Sequence, residues 1–455
     1  MTGVLTLLNT ITICMVITFL AYVCFILIPF LRYPRTVPGD PTRFAFHFFI
    51  PCRDEEAVIA RTIERARRLF PSAHVWVIDD DSDDATATIA RSYADVDDAV
   101  HLVQRRRPLA RTGKGDALNA AYRELDRWLP AGTDRLRVVV TVIVAVGELA
   151  GNALEIVAAD DVFGDPTIGA AQIAVWMKNR DDKTPYPDKG RIANAAANWL
   201  VRMQDLEFRT IIASMQALRA RTGTVGLGGN GQFTRLSVLD AIGEQYGEPW
   251  HGSLLEDYEL GVHVLLSGSK IKHVYDTHVS QEGLPSLRRL LTQRTRWAQG
   301  NIQCVRYIPQ IARSRYFDSA GVLETCYYLV LPFLQITAML AFAVLTIRST
   351  VIMLTDPTLG TGQLRFAVLL VTLSLMFSVL PFVIWGPVYK RRCEPGTSWP
   401  RALLYGVGVW VYVYYMYLCL PRAFVRIAMG RNGWSKTRRN AEEHPAGGAT
   451  VAIEH

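Results

Sequence analysis

An α/β domain with a mostly parallel sheet, joined to α-helical transmembrane and interfacial segments, is the fold class predicted by three observations. Short β-rich runs alternate with helical stretches from about residue 43 to 275, the order of a parallel sheet covered by helices. Charge-free apolar stretches of membrane length bracket that region. Half of the 455 residues are hydrophobic, with a mean hydropathy of +0.14, and they gather in a few runs, which indicates an integral membrane protein. A single core stops growing at roughly 250–300 residues, so there is room for a sizeable domain and a membrane part.

Residues 1–31 carry no charge, and Val4 to Phe30 exceeds the roughly 20 residues a helix needs to cross a bilayer. It lacks the basic start and cleavage site of a signal peptide, so it reads as a retained anchor. Arg32 and Arg35 follow it, which puts the next segment in the cytoplasm. Within the α/β region, 40–284, Phe44–Ile50, His74–Ile78, His101–Gln104 and Val138–Val144 read as buried strands, with Glu56–Leu69 and Asp116–Leu129 as helices between them. Ligands bind off the carboxyl ends of the strands in such sheets, where Asp79 and segment 144–146 fall.

Residues 285–316 mix Leu and Ile with many Arg and suit amphipathic interfacial helices. Two transmembrane helices are expected in 322–389, at Thr325–Ile347 and Phe366–Tyr389. The stretch 402–420 is also charge-free, but a simple crossing would export the basic tail, 421–455. A re-entrant or interfacial segment is therefore favoured over a third C-terminal span. Residues beyond about 440 are small and polar and read as disordered.

The net charge is +7, but Lys and Arg crowd beside the apolar runs, at Arg32, Arg35, Lys390, Arg391, Arg392 and from Arg422 to Arg439. That is a topology signal and not one for nucleic acid. The seven cysteines have no C-x-x-C spacing, so neither a zinc site nor a disulfide framework is supported.

Several segments carry chemistry. Pro51-Cys52-Arg53-Asp54-Glu55-Glu56 follows the first strand and Asp79-Asp80-Asp81-Ser82 the second. Carboxylates there can accept hydrogen bonds from a base and a ribose, or form an acidic turn that caps the next helix. Gly113-Lys114-Gly115-Asp116 opens a helix and offers backbone donors and a cation to phosphate, or an ordinary N-terminal turn. Leu255-Glu256-Asp257 reads as a general-base pair or a solvated helix face. Gln293-Arg294-Thr295-Arg296-Trp297 reads as an arginine and aromatic grip on phosphate and sugar, or as an interfacial helix with Trp at the bilayer boundary.

In this order the motifs resemble those of membrane-embedded family 2 glycosyltransferases of GT-A fold, in particular the processive group that includes cellulose, chitin and hyaluronan synthases. The resemblance covers roughly residues 40–440. It implies nucleotide binding by Glu55, Asp79, Asp80 and Lys114, with Asp54 and Asp81 standing where the family usually has Asn and Gly. It implies Asp257 as general base with Glu256 beside it. Gln293, Arg294, Arg296 and Trp297 would bind acceptor and diphosphate, together with Gly229, Asn230 and Gln232 of the Gly228–Phe233 loop. Trp434, Thr437 and Arg438 resemble a gating segment.

One element of the pattern is missing. Where the family carries D-x-D for Mg or Mn, this chain reads Val144-Ala145-Val146, and valine cannot ligate a cation. The family's divalent metal is thus expected without its site, and three explanations stand open: a metal held elsewhere, neutralisation by Lys114, Arg294 and Arg296, or binding of donor without turnover. The function expected first is inverting transfer from a UDP-sugar to a growing β-linked polysaccharide at the inner face of the plasma membrane, by a multi-pass protein with a cytoplasmic catalytic domain. The alternatives are transfer of one sugar to a lipid acceptor and a non-catalytic sugar-nucleotide-binding relative. The partners expected are a UDP-sugar, a glycan or lipid-linked acceptor and membrane lipids, and no nucleic acid.

Overall fold

The computed structural model describes residues 2–355 and 379–431. Its strands are β1 (Ala45–Cys52), β2 (His74–Asp80), β3 (Val100–Arg105), β4 (Val138–Val142), β5 (Glu148–Leu149), β6 (Ile168–Met177), β7 (Gln232–Arg235) and β8 (Lys270–Gln281). The helices are α1 (Thr2–Leu31), α2 (Ile59–Leu69), α3 (Thr86–Ala94), α4 (Lys114–Trp128), α5 (Ala153–Val157), α6 (Arg191–Leu206), α7 (Ala213–Thr222) and α8 (Leu236–Tyr246). They continue with α9 (Glu256–Leu266), α10 (Leu287–Cys304), α11 (Ile308–Arg313), α12 (Ser319–Thr355), α13 (Trp385–Arg392), α14 (Trp399–Tyr412) and α15 (Met416–Ala428). A π-helical turn, Glu207–Ile212, links α6 to α7.

The strands form one sheet in the order β3-β2-β1-β4-β7-β6-β8-β5. β1 pairs in parallel with β2 and β4, β2 with β3, and β6 with β8, whereas β7 runs antiparallel between β4 and β6 and β5 antiparallel to β8. This is the mostly parallel α/β arrangement expected. Its cause is legible in β4, Val-Val-Val-Thr-Val, buried along its whole length, as a strand covered on both faces must be. On one face Phe46, Phe48 and Ile50 pack with Ile59 and Ile63 of α2. On the other, Phe49, Trp76 and Ile78 pack with Leu118 and Leu125 of α4, and each such side chain contributes about 1.5–3 kcal/mol through burial.

Register decides where the loops meet. Cys52 is level with Asp79, and Phe49 with Val142. The chain therefore leaves β1, β2 and β4 at one edge of the sheet, and the segments after them lie side by side.

Among the described residues, three helical stretches, Ile13–Leu31, Ser319–Ala341 and Trp399–Ala428, are long and apolar enough to cross a membrane. They agree with an expected membrane association. Most of the expected span Phe366–Tyr389 lies outside the described residues. Segment 402–420 is part of the helical run Trp399–Ala428, 30 residues with one tighter turn at Val413–Tyr415, a length that suffices for a full crossing. Val23, Ile26 and Phe30 of α1 share an apolar cluster with Leu200 and Met203 of α6, Trp385 and Tyr389 of α13, and Val409 and Tyr412 of α14. The helical part thus packs on the α/β part through α6 and the π turn.

Candidate active site

The loops after β1 and β2 are knitted together. Asp54 accepts from the Asp83 amide (2.8 Å), and its own amide donates to the Ser82 hydroxyl (3.0 Å). The Glu55 amide donates to the Thr86 hydroxyl (2.7 Å). Asp54 and Asp81 both have left-handed backbone, φ 54° and 62°, a conformation that Gly, Asn and Asp tolerate best. Asp79 is fully buried. Its Oδ1 accepts from the Ser82 amide (3.1 Å), while Oδ2 has no hydrogen bond and lies 4.0 Å from Arg106. Asp80 pairs with Arg105 and accepts from the Arg111 amide (3.1 Å). It therefore anchors the β3–α4 segment that delivers Lys114.

These loops open on a cavity of about 370 Å³ whose walls include Glu55, Asp80, Lys114, Gly229, Asn230, Glu256, Asp257, Gln293, Arg296 and Trp297. Segments more than 200 residues apart in sequence are thus brought together. Glu256 and Asp257 form the first turn of α9, where the helix dipole favours negative charge. Lys114 Nζ lies 2.7 Å from Glu256 Oε1 and donates to the Gly229 carbonyl (3.1 Å). Asp257 Oδ1 accepts from the Tyr258 amide (2.8 Å). A side chain at Gly229 would have its Cβ 2.9 Å from Asp257 Oδ2 and 3.0 Å from Lys114 Nζ. The glycine is therefore what lets this loop pass so close to both groups. Burial, then the neighbouring Glu256 carboxylate, raise the Asp257 carboxyl to about 7, against the opposing pull of Lys114.

Gln293, Arg296 and Trp297 reach the cavity from α10, but Arg294 does not. Its guanidinium is buried against Glu207 of the π turn, bonds the Tyr412 hydroxyl (3.2 Å) and lies 4.4 Å above the Trp297 ring. Glu207 also accepts from Tyr412 (2.8 Å) and Tyr415 (3.0 Å). Two other expected residues lie off the cavity, Gln232, buried within β7, and Asp79, buried at the end of β2. Asn230 holds the loop, accepting from the Val144 amide (3.3 Å) and donating to Gln281 (3.2 Å). Trp434, Thr437 and Arg438 lie outside the described residues.

Sequence reasoning missed an apolar wall made by Phe208 and Ile212 of the π turn, Met215 of α7, Leu254, Tyr258 and Tyr328 of α12. Phe208 meets Trp297 edge-on, with ring centroids 6.1 Å apart. Gln172, a polar residue amid the apolar run of β6, lines the cavity as well and was a visible signal of the site. Gln172 binds the Asn230 carbonyl and the Gly228 amide.

Val144, Ala145 and Val146 also line the cavity, and a divalent metal does not fit them. The Ala145 carbonyl accepts from Thr62, and the Val146 carbonyl from Lys178 Nζ (3.1 Å). Glu148, the next carboxylate, bonds the same ammonium (2.9 Å) and pairs with Arg65 and Arg61 at 3.6 Å. A resident cation thus occupies the oxygen atoms beside these valines. No cluster of three His, Cys, Asp or Glu side chains suited to a metal occurs among the described residues.

Comparison with known proteins agrees with this geometry. The β-monoglucosyldiacylglycerol synthase of Synechocystis is 26% identical over 432 residues, covering 91% of this chain and 79% of that protein. The enzyme of the same name from Trichormus variabilis is 29% identical over 257 residues, covering 56% of this chain and 48% of that protein. Neither is a cellulose, chitin or hyaluronan synthase by name, so the processive subgroup is not supported by these relatives. A mannosyltransferase from Pyrobaculum calidifontis, solved with GDP-Man and Mn2+, shares the fold with a TM-score of 0.54 at 17% identity, over 93% of this chain and 99% of that one. The model of the family described as "Glycosyltransferase like family 2" matches residues 42–300, and with the GT-A sheet and the cavity in place the chain belongs to that family and is a glycosyltransferase.

Proposed function

We propose that this protein transfers a single sugar, with inversion, from a UDP-sugar to the hydroxyl of a neutral diacylglycerol-type lipid at the cytoplasmic face of a membrane that it crosses several times. The observation that carries this reading is the cavity itself, which is lined both by the acid pair with Lys114 and by the apolar side chains of Phe208, Ile212, Met215 and Tyr328. Tyr328 belongs to a helix of membrane-crossing length. The names of the relatives point the same way.

In the mechanism this implies, Glu55 and Asp80, which line the cavity, hold the nucleotide, and Trp297 stacks on the acceptor. Asp257 takes the proton of the acceptor hydroxyl as its oxygen attacks the anomeric carbon. The bond from that carbon to the diphosphate oxygen breaks, and its electron pair leaves with UDP. A lipid phosphate would need no such base and would be repelled by Glu256 and Asp257, which favours an alcohol as acceptor.

The test uses the full chain in nanodiscs containing diacylglycerol, with radiolabelled UDP-sugars. The expected product is a glycolipid carrying one sugar. Label in a polymer, or only in the presence of a polyprenyl phosphate, would overturn the reading.

A pH dependence follows. The groups facing Asp257 are Glu256 on its own helix, Lys114 of α4, Cys304 of α10 and Tyr328 of α12. The base works deprotonated, so kcat/KM is expected to rise with pH through about 7. Removing the like charge with Glu256→Gln lowers the Asp257 pKa, and the acid limb of the profile should move to lower pH. A limb that stays in place would show that Asp257 is not the titrating group.

A further inference from the structure

We propose that the leaving diphosphate is neutralised by side-chain cations, Lys114 and Arg296, in place of a divalent metal, so that the nucleotide binds equally well without metal. This rests on the nucleotide-sugar reading above and deepens it.

Three observations carry it. The wall formed by Val144, Ala145 and Val146 has no side-chain ligand to offer. The nearest oxygen atoms are already engaged, since Lys178 bonds both the Val146 carbonyl and Glu148, with Arg65 and Arg61 pairing to the same carboxylate. A divalent ion there would have to displace an ammonium and face two guanidinium groups. Positive charge is instead delivered to the cavity by Lys114 at the start of α4 and Arg296 of α10, besides Arg53 after β1 and Arg219 of α7, which pair with Asp54 and Glu324.

Lys114 is held for this purpose. Its ammonium is fixed between Glu256 and the Gly229 carbonyl, close to Asp257 Oδ2 across the Gly229 loop. A cation so placed is fixed in the cavity wall before any substrate binds. As the carbon–oxygen bond breaks and the electron pair passes to the diphosphate, that growing negative charge meets preorganised positive groups and no reorganisation is required. Arginine adds a planar fork suited to phosphate oxygens.

The experiment is calorimetric titration of UDP into the full chain in nanodiscs, once with Mn2+ and once with EDTA. The dissociation constants are expected to agree within about twofold. Lys114→Met should weaken UDP by about tenfold or more in EDTA, and Lys114→Arg should restore part of the loss. A tenfold or greater tightening of the unmodified protein by Mn2+, reversed by EDTA, would overturn the proposal, and that arm needs no variant to fold. Absence of UDP binding in both buffers would overturn it together with the UDP-donor reading. UDP binding in EDTA without any lipid product would leave this proposal standing and defeat the acceptor reading alone.

Discussion

Asp257→Asn is expected to lower sugar transfer by about 10²- to 10⁴-fold, the range that a positioned general base contributes, while UDP still binds. The substituted protein should also be at least as stable as the original. Asp257 is 9% exposed and sits beside Glu256, and burial followed by that like charge raises its carboxyl from 3.8 to about 7. A carboxyl whose folded pKa lies above its unfolded value is destabilising once ionised. That cost sets in above about pH 4 and is complete above about pH 7. Asparagine has the same shape and never ionises, so its stability advantage should be larger at pH 8 than at pH 5. Melting in detergent at the two pH values, with turnover measured alongside, checks both parts. Retention of more than about a tenth of the activity would remove Asp257 from the role of base.

What could be read in advance, and what could not, follows from the range of the forces involved. Continuous apolar runs such as Val138–Val142 announce a doubly covered strand, and β1 to β4 agree closely with the stretches expected from them. The loops after β1 and β2 were legible because Asp54 and Asp81 replace Asn and Gly with a residue that also accepts left-handed backbone. The antiparallel strand β7 has four residues, and its placement between β4 and β6 depends on partners 60 or more positions away, which no local period reveals. The π turn that brings Phe208 and Ile212 to the cavity is likewise invisible in composition. Arg294 was legible but misread. On a helix, positions i, i+3 and i+4 share a face and i+1 does not. Gln293, Arg296 and Trp297 therefore reach the cavity together, and Arg294 is directed elsewhere.

The side to which Arg294 turns leads to the second large effect. Glu207→Ala should destabilise the protein by about 3–5 kcal/mol, the cost of leaving one member of a buried ion pair without its partner. Arg294 and Glu207 have side chains only 6% and 11% exposed, and the carboxylate also receives the hydroxyls of Tyr412 and Tyr415. Glu207 thus ties together the π turn, α10 and the C-terminal helical run. Because the same guanidinium lies 4.4 Å above Trp297, the pair also bears on the position of that ring in the cavity wall. A structural and a positioning role can be separated with Glu207→Met/Arg294→Met. Apolar replacement of both partners removes the unpaired charge and should recover most of the lost stability, but it leaves Trp297 without its cationic neighbour. The double variant is then expected to melt close to the unmodified protein while its KM for the lipid acceptor stays raised and UDP affinity is unchanged. Recovery of KM together with stability would reduce the pair to a packing element; a raised KM in a stable protein would make Glu207 a positioning residue that links the membrane helices to the acceptor platform.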